Sequence, residues 1–145
     1  MKYLDYHRAY IELENSKKRY YNITNKIERL REKVDVLSSK YDGLKVDETK
    51  KNDKLDEYCA SIELLLEQEK TSFRIIGKKR RILDSVLEEL KDSKETKDKI
   101  YYLKYIELKD VQFISGNIDY SLSRTYDYLK MIEKEIKIIE QTYKK

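Results

Sequence analysis

The residues best suited to a chemical task form one run near the end of the chain, Ser121-Leu122-Ser123-Arg124-Thr125-Tyr126-Asp127-Tyr128-Leu129-Lys130. Ser121 is a strong helix N-cap, because its hydroxyl accepts a hydrogen bond from an otherwise unpaired amide of the first turn. With a helix starting there, Thr125 and Leu129, four and eight residues past the cap, share one inward face. Ser121 itself and Leu122, Ser123, Arg124, Tyr126, Asp127 and Lys130 are then left on the outward side of the first turns. A helix presenting such side chains can meet base edges and phosphates in a DNA major groove. Arg124 suits bidentate reading of guanine, Ser123 and Tyr126 suit base or phosphate contacts, and Lys130 suits a phosphate. Asp127 suits acceptance of a bond from cytosine or the orientation of Arg124.

Such a helix needs a frame, and the residues before it supply one. Ile100, Tyr101, Leu103 and Tyr105-Ile106 predict a short amphipathic helix, and Glu107-Leu108-Lys109 a turn. Asp110 is placed to cap a helix from Val111 to Ser115, within which Ile114 offers an inward aliphatic and Ser115 a small residue at the crossing. Asn117 to Tyr120 then forms a second turn, with Ile118 as its buried plug. The last helix carries Thr125, Tyr128-Leu129, Ile132, Ile136 and Ile139 inward and continues to Tyr143. Helix, turn and capped helix in this order make a three-helix helix-turn-helix unit over residues 97–145. A three-helix packing unit that binds nothing would share the same pattern.

The block Tyr101-Tyr102-Leu103-Lys104-Tyr105-Ile106-Glu107, followed by Phe113-Ile114 and then Ile118-Asp119-Tyr120-Ser121, resembles region 4 of bacterial sigma factors. That form occurs in the small phage-encoded late transcriptional regulators of the ArpU/RinA type. The resemblance implies that Ser121 to Lys130 is the recognition segment and that the Leu103–Tyr105 helix supports it. Asp119 stands where that pattern often has glycine, Ser115 where alanine is usual, and Thr125 where valine is favoured. Asp tolerates the left-handed conformation a turn requires there.

The first part of the chain reads as an arm over residues 1–90. From Tyr6 to Tyr41 apolar residues recur every seven positions, at Tyr6, Leu13, Tyr20, Ile27, Val34 and Tyr41. A second series follows three residues on, at Ala9, Ser16, Ile23, Leu30 and Leu37. This is a coiled-coil seam on a helix of roughly 50 Å. Its aliphatic stretch, Ile27 to Leu37, predicts the better packing in the C-terminal half. Asp42-Gly43 is a stop signal, Leu44 to Asp53 reads as a loop, and Asn52 or Asp53 is placed to cap a second helix from Lys54 to Leu90. Its stripe runs through Leu55, Tyr58-Cys59, Ile62, Leu65-Leu66, Phe73, Ile76, Leu83, Val86-Leu87 and Leu90. An antiparallel hairpin, within one chain or across a dimer, buries both seams. Gly77 marks a bend or break, and Lys91 to Asp98 a polar break before the C-terminal unit. Lys78-Lys79-Arg80-Arg81 is either a solvated face or a set of auxiliary phosphate contacts.

Composition agrees with an all-α fold, since the 145 residues include no proline and only three glycines, the strongest helix breakers. The net charge of +4 from 32 basic and 28 acidic residues permits nucleic acid without requiring it. The single cysteine, Cys59, excludes an intramolecular disulfide and a cysteine-based zinc cluster. The three glycines stand too far apart for a phosphate loop, and the lone histidine, His7, falls on a charged helix as an exposed surface residue. No enzymatic activity, cofactor or metal is expected. Without an apolar leader or an apolar run of membrane-spanning length, the reading is cytoplasmic with no membrane partner. The expectation is a sequence-specific regulator that binds double-stranded DNA, of phage or mobile-element origin. Its arm would form a homodimer or engage RNA polymerase or another regulatory protein. The alternative is a non-enzymatic coiled-coil adaptor or inhibitor that binds another protein, which the 14 tyrosines favour because tyrosine is frequent in interfaces.

Overall fold

The computed structural model describes the backbone of residues 1–41 and 48–144, and the side chains of residues 1–38 and 53–144. The chain is all-α: α1 (Lys2–Tyr41), α2 (Glu48–Asp92), α3 (Thr96–Tyr101) running into a π-helical segment (Tyr102–Ile106), α4 (Val111–Ile118) and α5 (Leu122–Tyr143). No strand occurs among the described residues, and none of their helices is long and apolar enough to cross a membrane.

Several boundaries differ from the sequence reading. The stop at Asp42-Gly43 lies outside the described residues, as do residues 44–47 of the expected loop. From Glu48 onward the backbone is helical, so neither Asn52 nor Asp53 caps α2. The segment holds Glu and Lys, good helix formers, and no glycine or proline to stop a helix. Gly77 does not break α2, its cost of about 1 kcal/mol being small in so long a helix. The expected polar break shrinks to residues 93–95, because α2 runs to Asp92 and α3 starts at Thr96.

Two compact units result, one from Met1–Glu14 with Lys78–Lys145, the other from Asn15–Gly77. The division therefore falls inside the two long helices and not between an arm of 1–90 and a domain of 97–145. The reason is the core of the first unit. Tyr3 from the start of α1 and Leu90 from the end of α2 are buried with Ile100, Tyr101, Ile114 and Ile132.

In that first unit, Asp98 is fully buried and closes the start of α1. Its Oδ1 accepts from the Tyr3 amide at 2.9 Å, and its Oδ2 from the Ser93 hydroxyl at 2.6 Å and the Lys2 amide at 3.4 Å. These are first-turn amides that a helix leaves unpaired, so a residue of α3 caps α1. His7 is not an exposed surface residue, its side chain being only 11% exposed. Its Nδ1 lies 3.1 Å from the Tyr101 hydroxyl and its Nε2 3.3 Å from Glu140. Tyr101 also stacks on Tyr105 with ring centroids 4.8 Å apart. Burial, with the neighbouring Tyr6 and Tyr105, pushes the Tyr101 hydroxyl pKa well above its ordinary value.

In the second unit α1 and α2 run antiparallel, Thr24 meeting Glu69 (3.4 Å) and Tyr20 meeting Phe73 (ring centroids 6.0 Å). Among the described residues, Ser16, Ile27, Ser72 and Ile76 are its buried ones. The aliphatic stripe packs well only at its start, since Ile27 is buried but Leu30, Val34 and Leu37 are only half-buried. A single neighbouring helix covers one side of such a stripe, whereas Ala9 and Leu13, buried in the first unit, have α5 at hand as well as α2: Glu12 between them takes both Lys79 and Tyr143. Phe73 also departs from the expected seam, being 64% exposed while Ser72 takes the inward position.

Candidate nucleic-acid interface

Asp110 opens α4 as expected, its carboxylate accepting from the Phe113 amide at 2.8 Å. The helix extends past Ser115 to Ile118, so the turn is shorter than the expected Asn117–Tyr120 and comprises Asp119, Tyr120 and Ser121. Asp119 adopts the left-handed conformation (φ 60°, ψ 43°), which a short polar side chain tolerates. It allows the chain to reverse while the Tyr120 amide still bonds the Ser115 carbonyl at 3.1 Å. The Ser115 hydroxyl donates to the Tyr120 carbonyl, so this small residue at the end of α4 also ties down the turn. Ile118 is half-buried against the core.

Ser121 then caps α5, its hydroxyl accepting from the Arg124 amide at 3.2 Å. Thr125 is fully buried and donates its hydroxyl to the Ser121 carbonyl at 2.9 Å. Thr125, Leu129, Ile132, Ile136 and Ile139 form one buried stripe. With that face fixed, Leu122, Ser123, Arg124, Tyr126, Asp127 and Lys130 are all exposed, and Ser121 with them. The structure thus brings all seven proposed contact residues onto the outer side of one helix start.

Arg124 does not project freely. Its guanidinium sits 4.0 Å from the Tyr120 ring centroid, and Tyr120 stacks on Tyr128 with centroids 5.8 Å apart. Such a cation–π contact is worth about 0.5–1 kcal/mol at an exposed site. It orders a long side chain that would otherwise lose rotamer freedom on binding. Tyr120 is therefore a residue of the candidate site that spacing within α5 did not reveal. It precedes the helix and acts on Arg124 from the turn. Lys109 plays a similar part beside α4, with its ammonium 4.9 Å from the centroid of the exposed Phe113 ring.

The auxiliary basic run is divided. Lys78, Arg80 and Arg81 are exposed, whereas Lys79 is half-buried in an ion pair of 2.9 Å with Glu12. Successive residues point about 100° apart around a helix, so the four cations cannot share one face. Hydrogen bonds from Lys79 and Tyr143 hold the Glu12 carboxyl below its ordinary pKa. Among the described residues no group of three or more His, Cys, Asp or Glu is arranged to hold a metal ion.

No protein-family model matches the chain, and no curated protein or solved structure matches it either. Function has to be read from the site alone.

Proposed function

We propose that the protein is a sequence-specific, double-stranded-DNA-binding transcriptional regulator that inserts the first turns of α5 into the major groove. The observation that carries this reading is the capped, left-handed turn between α4 and α5 together with the exposed set after Ser121, led by an Arg124 held on Tyr120. In this reading Arg124 contacts guanine, Ser123 and Tyr126 contact bases or phosphate, and Lys130 a phosphate. Lys78, Arg80 and Arg81 add phosphate contacts, with Lys79 committed to Glu12. The same reading makes the protein a cytoplasmic, non-enzymatic regulator of phage or mobile-element origin, akin to those with a sigma region 4-like domain. Its hairpin serves a second copy, RNA polymerase or another regulatory protein.

A second reading, a coiled-coil adaptor or inhibitor, draws on the apolar members of the exposed set. Leu122 and Tyr126 are 45% and 52% exposed on the face assigned to DNA. Selection from random duplexes separates the two. The DNA reading predicts an enriched sequence, and Arg124→Ala weakens binding to it by about 1–3 kcal/mol while relaxing the preference at one base pair. No enrichment, or full affinity in Arg124→Ala, overturns the recognition-helix assignment.

A further inference from the structure

Behind the turn, the end of α2, α3 with its π-helical continuation and the end of α4 line an open-mouthed cavity of about 360 Å³. That volume lies in the range of small-molecule sites. Leu90, Leu103 and Ile118 are its aliphatic lining residues, and the rings of Tyr102 and Tyr120 line it further. Its charged lining residues are Lys91 and Lys99, with no acidic residue among them.

The polar groups are unevenly available. The Ser93 hydroxyl is given to Asp98 at 2.6 Å, and the Thr96 hydroxyl lies 3.5 Å from that of Tyr120. The Lys91 ammonium lies 3.6 Å from Glu88, so Lys99, the Asn117 side chain and the Tyr102 hydroxyl are left to meet a guest. A ligand with polar groups all round would leave those that face Leu90, Leu103 and Ile118 unpaired, which is costly. A cation would meet the like charge of Lys99. The lining suits a flat apolar body with one anionic end.

We propose that this cavity binds a small aromatic anion, a ring system bearing a carboxylate or phosphate group, and that the ligand acts on α5 through Tyr120. Tyr120 is the link because its ring borders the cavity and also carries the Arg124 guanidinium at 4.0 Å. The hydrogen bond with Thr96, then the charges of Arg124 and Lys99, hold the Tyr120 hydroxyl below its ordinary pKa, so the field of Lys99 already reaches this ring. The binding step stands on the cavity; its effect on DNA affinity rests on the reading of α5 as a recognition helix.

The test uses the ¹⁵N-labelled full chain without DNA, titrated with indole-3-acetate, with tryptamine (a similar ring bearing the opposite charge) and with inorganic phosphate. The expected result is saturable binding of indole-3-acetate at about millimolar concentration or tighter, with shifts centred on Thr96, Lys99, Asn117 and Tyr120 and extending to the Arg124 side chain. Lys99→Glu weakens it about tenfold with the helical circular dichroism unchanged. Lys91→Glu replaces that variant should Lys99→Glu lose helicity. Absence of saturable shifts, equal affinity for tryptamine or phosphate, or unchanged affinity in the charge-reversed chain overturns the proposal. Because no DNA is present, these outcomes are independent of whether α5 reads a duplex.

Discussion

The two compact units use the same residue types to opposite effect. In the unit from Asn15–Gly77, two antiparallel helices leave Leu30, Val34, Leu37, Leu55, Ile62, Leu65 and Leu66 half-buried. In the other unit, Ile100, Ile114 and Ile132 are fully buried, and so are the polar Thr125 and Asp98. The difference is one of enclosure. A helix pair covers a seam from one side, whereas helices meeting from several directions close a core and make burial of polar groups worthwhile when each is bonded. Such a closed core can hold a turn and a helix start rigidly enough to present a fixed contact face.

The contrast is broken first by truncation. Ile132→Ala is expected to destabilise by about 3 kcal/mol or more, since it deletes fully buried methylenes and leaves a cavity. Leu65→Ala, on a half-buried face, should cost about 1 kcal/mol. Urea denaturation of the two variants measures both, and equal losses would dissolve the distinction between the units. Asp98→Ala comes next, at about 2–3 kcal/mol, because it strands the Lys2 and Tyr3 amides and the Ser93 hydroxyl.

The tyrosines sharpen the comparison through pH. Burial raises the pKa of Tyr6, Tyr101 and Tyr105 in the core-forming unit. A group whose folded pKa is raised contributes stability that is complete below its unfolded value, about 10 for tyrosine, and lost as pH rises beyond it. The midpoint of thermal unfolding should therefore fall steeply above about pH 10, and less so in Tyr101→Phe. A flat profile to pH 11 would contradict the assigned burial. The smallest effect concerns Leu108, which holds φ at 57° with its side chain 80% exposed. Leu108→Gly relieves a left-handed residue at no packing cost and should stabilise by about 1 kcal/mol in the same denaturation assay.

Legibility in the sequence followed the range of the interactions. The caps Asp110 and Ser121 act on amides three residues away, and both were readable from local pattern, as was the stripe from Thr125 to Ile139. Local pattern puts Asp98 in a polar break because its partners, Lys2 and Tyr3, lie at the other end of the chain. His7 was misplaced for the same reason, its partners Tyr101 and Glu140 being distant in sequence. Apart from the exposed Phe73 and Cys59, heptad spacing identified which residues turn inward, but not how many helices would cover them. That is why the aliphatic end of the seam proved the less buried.

The most direct test of the central claim is the salt dependence of binding to a selected duplex, measured for the parent chain and for Lys130→Ala. The account predicts that the logarithm of affinity falls linearly with the logarithm of salt concentration, by about 0.9 for each phosphate contacted. It also predicts that Lys130→Ala lowers that slope by about 1. Affinity that is insensitive to salt, or a slope unchanged by loss of Lys130, would contradict a phosphate-contacting helix start and favour a protein partner for this face.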